Sequence, residues 1–203
     1  DYEGPDFYWS SYRHVEEPPE AIERLRANYR ANLSFLDEQL GRLLDKLDEY
    51  GMWDDTTIVL TTDHGHLLGE HGFTGKSLMP LYNELANIPL LVCYPGGEHA
   101  GSRVGALTQT IDLYPTILEC FGIESPNGVH GRSIHPLVDG RTQSIRDRAL
   151  FGVFGGNINL TDGTHVYMRA HAGRENTPLF AYTAVPPSIE DNPSLAQHYE
   201  YGR

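Results

Sequence analysis

Nine apolar residues, Ile22, Leu25, Tyr29, Leu33, Leu36, Leu40, Leu43, Leu47 and Tyr50, recur at steps of three or four without interruption. With about 3.6 residues per turn, an α-helix gathers such positions onto one face, so the spacing predicts one long helix. Arg24, Arg30, Glu38 and Lys46 are left for the other faces. Pro18-Pro19 punctuates its start, and Gly51 offers a left-handed stop. This element reads as purely structural.

Asp54-Asp55 then leads into "TTIVLTT", a short run rich in β-branched residues with aliphatics at its centre. It suits a strand buried on both faces, as in a parallel sheet. A second such run, "IPLLVCY", begins at Ile88, and "SLMPLYNELA" between the two has helical composition. "IDLYPTILECFG" reads as a further helix, with Asp112 as N-cap, Pro115 in the first turn and Gly122 as the stop. "GVHGRSIHPLVDG" reads as a loop holding a short apolar piece. Helix, strand, helix, strand is an α/β order, predicting a mixed, largely parallel sheet flanked by helices over residues 1–146. Beyond Arg146 the apolar runs shorten and are broken by Gly155-Gly156 and Asp162-Gly163. The latter pair, between Ile158-Asn159-Leu160 and Val166-Tyr167-Met168, is a hairpin signal, so residues 147–203 are expected to form a small antiparallel sheet with loops. The first twenty residues, aromatic and acidic with no clear period, read as an arm or loop, and so do most of the last thirty.

Charge narrows the function classes. The formal net charge of −13 argues against a nucleic-acid binder, because phosphate contacts need a basic surface. It favours a divalent cation, and it means that any anionic substrate would need local positive charge. No stretch is long and apolar enough to span a membrane. Cys93 and Cys120 lie in separate apolar runs without CxxC spacing and read as small buried residues.

Residues 61–76, "TTDHGHLLGEHGFTGK", concentrate the chemistry. Asp63 and His64 follow the end of the "TTIVLTT" strand, where open α/β sheets bind their ligands. Carboxylate and imidazole on adjacent residues can face one ion there, with Gly65 letting the backbone turn without a Cβ clash. Alone, Asp-His-Gly is too short to be specific, and an Asp63 that caps a turn beside a surface His64 would account for it. Lys76, one of only two lysines, sits thirteen residues past Asp63 at the end of the Gly-rich loop. A flexible ammonium beside a cation suits an anionic substrate, although solvated surface charge is the usual fate of a lysine. His71 reads as a packed loop histidine, or as a donor to a carboxylate. His66 and Glu70 read as loop residues.

"TTIVLTTDHGHLLGEHGFTGK" followed by "LYNELANIPLLVCYPG" resembles the C-terminal part of the catalytic core of type I sulfatases, in the alkaline-phosphatase-like superfamily. The likeness extends back through "GRLLDKLDEYGMWDD" and forward through "IDLYPTILECFGI" and "HGRSIHPLVDG", roughly residues 20 to 170. It implies an α/β fold with the metal site above one sheet edge. Asp63 and His64 would be two ligands of one divalent cation, His64 standing where many relatives carry Asn. Ca²⁺ is implied foremost, with Mn²⁺ or Mg²⁺ as alternatives because imidazole is not a preferred Ca²⁺ ligand. Lys76 would hold the sulfate oxygens and stabilise the transition state.

The resemblance also implies elements that these residues do not supply. Sulfatases carry Cys(or Ser)-x-Pro-x-Arg, whose first residue becomes formylglycine, and neither Cys93 nor Cys120 is followed by that pattern. The start of the sequence corresponds to the middle of such proteins. The expectation is therefore a C-terminal portion of a sulfuric-ester hydrolase, inactive alone and needing the N-terminal half for its formylglycine and remaining metal ligands. Its substrate would be a small-molecule or glycan sulfate ester. Phosphonate monoester and phosphodiester hydrolases of the superfamily share the same signals, and a non-catalytic module binding an anion or glycan is the other alternative. His130, Arg132, His165 and the aromatics between Phe7 and Tyr12 read as structural.

Overall fold

The computed structural model describes residues 12–76, 80–153 and 155–172. Most of the opening arm and the Pro186-Pro187 tail lie outside them. The long helix forms as its stripe requires, α1 over Pro19–Tyr50. Pro19 occupies the first turn, and Gly51 at φ 63° ends the helix in the left-handed region. Only the two ends of the stripe are covered, by burial of Ala21, Ile22, Leu25 and Leu47. Between them Leu33, Leu36 and Leu43 remain more than half exposed.

Strands β1 (Tyr12–His14), β2 (Ile58–Thr61), β3 (Leu67–Leu68), β4 (Phe73–Gly75) and β5 (Leu90–Cys93) make two small sheets, in orders β1-β4-β3 and β2-β5. The mixed α/β class is borne out, and the pairing inside it differs from the expected parallel one. β2 and β5 run antiparallel, with Ile58 opposite Cys93 and Thr61 opposite Leu90. A parallel return needs a long crossover, usually a helix. Here the "SLMPLYNELA" segment yields only α2 over Asn83–Ala86, four residues or about 6 Å of rise, and the connection is otherwise taken up by the β3–β4 hairpin. The pair is not buried on both faces either, since the cross-strand neighbours Leu60 and Leu91 both point outward and are exposed.

Two segments expected to be loops contain strands. Tyr12–His14 joins the edge of β4, with Tyr12 opposite Gly75. Within residues 61–76 the chain folds into the β3–β4 hairpin. Strands of two and three residues carry no usable alternation, so tertiary pairing alone defines them. Beneath this hairpin, Leu67 and Leu85 are buried together, with Phe73, Leu81 and Tyr82 packed around them.

Helix α3 spans Leu113–Cys120, preceded by a 3₁₀ turn at Thr110–Asp112, and Gly122 follows at φ 65°. Asp112 does not cap α3 with its side chain, as the sequence suggested. Its buried carboxylate instead closes a capping box with Gln109 across the 3₁₀ turn. The same carboxylate accepts from the Arg132 N–H at 2.9 Å and pairs with the guanidinium of Arg146. Gln109 also donates through its amide to the Leu150 carbonyl. The apolar piece of the following loop is a short helix, α4, over His135–Val138.

The C-terminal strands β6 (Ala149–Gly152), β7 (Ile158–Thr161) and β8 (Val166–Arg169) form an antiparallel sheet in chain order. The Asp162-Gly163 turn joins β7 to β8 as its sequence indicated, with Gly163 at φ 90°. Asp162 Oδ1 accepts the N–H groups of Thr164 and His165 and organises the turn. Both cysteines are free thiols, and the expectation of two buried residues is corrected: Cys93 is half-buried and Cys120 exposed. Cys120 lies on the last turn of a helix whose buried positions are Pro115 and Thr116.

Candidate active site

The site grows from the end of β2. Thr61 ties to the Pro89 carbonyl through its hydroxyl at 2.8 Å, anchoring the strand end to the entry of β5. The Thr62 hydroxyl donates to the His64 carbonyl, and Asp63 Oδ1 accepts the His64 N–H at 3.0 Å. These bonds fold Asp63, His64 and Gly65 into a tight turn. Gly65 then passes so close to α2 that its N–H bonds the Leu85 carbonyl at 3.0 Å, and a Cβ there would stand 1.7 Å from the Glu84 carbonyl oxygen. Only glycine fits this passage.

The turn orients both side chains. His64 Nδ1 lies 2.8 Å from the Gly65 carbonyl oxygen, an acceptor, which places the proton on Nδ1 and leaves a lone pair on Nε2. That Nε2 stands 3.3 Å from Asp63 Oδ2. Desolvation raises the Asp63 carboxyl, yet its own N–H, the imidazole and N–H of His64 and the Thr62 hydroxyl outweigh it and hold it below the ordinary aspartate value. A carboxylate oxygen and an imidazole lone pair therefore face one point, and this donor pair fits a divalent cation. Among the described residues no group of three or more His, Cys, Asp or Glu side chains could hold a metal by itself.

Lys76 arrives from the β3–β4 hairpin. It follows directly on β4, and its Nζ contacts His64 Nε2 at 2.5 Å. The three residues singled out in the sequence are thus brought to one atom, with the imidazole between carboxylate and ammonium. The arrangement sets an ammonium beside the carboxylate and imidazole of adjacent residues.

The remaining histidines differ sharply. His66 is half-buried and stacks at 6.4 Å on Tyr29 of α1, and its Nε2 has no hydrogen-bond partner among the described residues. Desolvation, together with the neighbouring His64 ring and Lys76 ammonium, lowers its basicity, opposed by Glu70. His71 turns its Nε2 to both oxygens of Glu84 at 3.2 Å and stacks on Tyr82 with ring centroids 3.8 Å apart. It is therefore both a packed histidine and a partner of a carboxylate. Glu70 is more than a loop residue: it accepts the Leu68 N–H and faces Arg26 of α1, whose Nε donates to the Leu68 carbonyl. Tyr82 and Glu84 escaped the sequence reading because they lie at the start of a separate element, α2, Tyr82 just before its first residue, and nothing local marks them. The one available signal was Gly65, whose missing side chain announces a close neighbour.

Residues 2–123 match the Sulfatase family, a span that includes Asp63, His64 and Lys76. The chain belongs to the sulfatase family. This sulfatase-family chain is 38% identical over 120 residues to an N-acetylglucosamine-6-O-sulfatase of Bacteroides thetaiotaomicron, covering 59% of the chain and 21% of that protein. It is 41% identical over 128 residues to the multifunctional alkaline phosphatase superfamily protein PehA of Trinickia caryophylli, covering 62% of the chain and 24% of the relative. Among solved structures it resembles one in complex with its substrate D-glucosamine-2-N,6-O-disulfate, at TM-score 0.66 and 26% identity, over 76% of this chain and 33% of that one. The phosphonate monoester hydrolase of Agrobacterium radiobacter shares the fold at TM-score 0.62 and 23% identity, over 90% of this chain and 40% of that one. The chain thus spans between a fifth and a quarter of the length of these curated relatives.

Proposed function

We propose that this chain supplies one wall of the active site of a sulfuric-ester hydrolase. The observation that carries the reading is the meeting of Asp63, His64 and Lys76 at His64 Nε2 in a chain of the sulfatase family. Asp63 and His64 would hold one divalent cation, Ca²⁺ foremost and Mn²⁺ or Mg²⁺ otherwise. When bound, that ion offsets charge on the ester oxygens and polarises them. Asp63 contributes a carboxylate that is ionised at neutral pH, and His64 presents the lone pair that its bond to Gly65 exposes. Lys76 binds the anionic group of the substrate and balances charge that builds on the leaving oxygen. The nucleophile, a formylglycine, and the remaining ligands would come from residues upstream of this chain, since neither cysteine lies in a Cys-x-Pro-x-Arg pattern. On this reading the chain is inactive without that half.

The relatives support a choice of substrate class. An N-acetylglucosamine-6-O-sulfatase and a structure holding a disulfated glucosamine both favour a sulfate ester, with a glycan sulfate as the first choice. The likeness to a multifunctional alkaline phosphatase superfamily protein supports a second reading, hydrolysis of phosphonate or phosphate esters at the same residues. The deciding experiment measures hydrolysis of an aryl sulfate, N-acetylglucosamine 6-sulfate and an aryl phosphonate by full-length protein, with metal content determined by elemental analysis. The expected result is sulfate-ester turnover, and loss of both turnover and metal in Asp63→Ala. Unchanged turnover in Asp63→Ala would overturn the ligand assignment, and turnover of the phosphonate alone would replace the first reading by the second.

A further inference from the structure

We propose that the His71–Glu84 pair is a positioning element that holds Lys76 in register with Asp63 and His64, an inference that rests on the site reading above. His71 is one of two non-glycine residues at positive φ among the described residues, at 56°. That conformation is unfavourable for a side-chain-bearing residue and persists only where surrounding contacts impose it. Two contacts do so here, the stack on Tyr82 and the bond to the Glu84 carboxylate.

Both partners stand at the start of α2, and α2 is also what seats the Asp63–His64 turn. The Leu85 carbonyl accepts the Gly65 N–H, and the Glu84 carbonyl fills the space a Gly65 side chain would need. One four-residue helix therefore touches both halves of the site, by backbone on the metal-ligand side and by side chains on the lysine side. From His71 the path to Lys76 is short and stiff. Gly72 bonds back to Gly69 and accepts from Val15, Gly69 bonds the Phe73 carbonyl, and the three residues of β4 lead straight to the lysine. A shift of the imidazole along α2 is carried to Nζ with little chance of being absorbed.

The energetics separate positioning from mere support. The side chains of His71 and Glu84 are 41% and 39% exposed, so their contact adds little to folding stability. Their effect on where Lys76 stands is large by comparison, because small misplacements in a site cost rate steeply. Removing the pair should therefore reduce catalysis while leaving stability and metal content intact.

The test uses His71→Gly, which keeps the positive φ and removes only the ring, Glu84→Ala, and the double variant in full-length protein. In His71→Gly, kcat/KM for a sulfate ester should fall about tenfold with thermal midpoint and bound metal unchanged. Amide exchange should quicken across residues 73–76 but not across residues 58–65. Glu84→Ala should lose in the same direction, and the double variant should match His71→Gly, because the two act through each other. Wild-type kcat/KM and exchange in His71→Gly would overturn the proposal, as would losses that multiply in the double variant. If the wild-type protein turned over no sulfate ester, the functional reading would fall by itself. Exchange across residues 73–76 would then decide the tether, faster in His71→Gly supporting it and unchanged refuting it.

Discussion

Gly65→Ala probes the tightest point of the site. The new methyl would stand 1.7 Å from the Glu84 carbonyl oxygen, 2.8 Å from its carbon and 3.1 Å from Leu85 Cα, all of them backbone atoms. No side chain can swing aside to make room. Since real Cβ atoms stay beyond 3.0 Å of such neighbours, the turn and α2 must separate by about 1.3 Å. That separation breaks the Gly65 N–H bond to Leu85, which costs about 1 kcal/mol. It also lifts Leu85 from its contact with Leu67, an overpacking strain of about 1–3 kcal/mol. A destabilisation of about 2–4 kcal/mol is expected, together with weaker metal retention, because the turn carrying Asp63 and His64 loses its seat on α2. Denaturant unfolding gives the first quantity and elemental analysis after dialysis the second. A Gly65→Ala protein within about 0.5 kcal/mol of wild type, with undiminished metal, would refute the close approach and the role assigned to α2.

Gly41 offers the opposite case: it lies inside α1 with nothing within 4 Å of an added methyl, so Gly41→Ala should stabilise by about 0.5–1 kcal/mol in the same unfolding assay. Arg146→Ala should destabilise by about 3–5 kcal/mol, because it leaves the Asp112 carboxylate, 1% exposed, without its cation. The Tyr94 phenol is buried without a hydrogen-bond partner among the described residues, and desolvation, with the charges of Cys120, Glu119 and Asp139, pushes it up to about 12. The neutral phenol is thus favoured by folding. Its contribution is whole below pH 10, fades as pH rises toward 12, and should appear as one late phenolate in an absorbance titration. Asp162, by contrast, is held down to about 2 by the N–H groups of His165 and Thr164, so the β7–β8 turn should keep their amides protected at pH 3 and release them as pH falls through 2. Amide exchange read by NMR would show it.

What could be read from the residues depended on how far each signal reaches. The stripe in α1 and its glycine stop are local, and the helix lies where they put it. β2 and β5 were legible as strands because their residues favour pleated backbone, but not in their direction. Direction is a matter of how the β2–β5 connection folds, into the β3–β4 hairpin and the short α2 and not into a crossover helix. β1, β3 and β4 were invisible, being too short to show a period. Asp63, His64 and Lys76 could be singled out because each sits at the end of a strand or a Gly-rich turn. That they would meet at one nitrogen required the hairpin, and the partnership of His71 with a carboxylate thirteen residues away required α2 as well. Exposure of the middle of α1 was equally beyond a pattern that records only which face is apolar.

The knot around Asp112 bears on how such a chain could be recombined. A cut after residue 146 follows the change of texture in the sequence, and it keeps Arg146 beside its carboxylate. The Gln109 amide nevertheless crosses that cut to hold the Leu150 carbonyl at the start of β6. A C-terminal sheet borrowed from another family member would take up this bond through a main-chain carbonyl, whatever side chain it brought at position 150. For this bond the graft would depend on the recipient keeping Gln109, Asp112 and Arg146 together, and not on the donor's side chain at position 150.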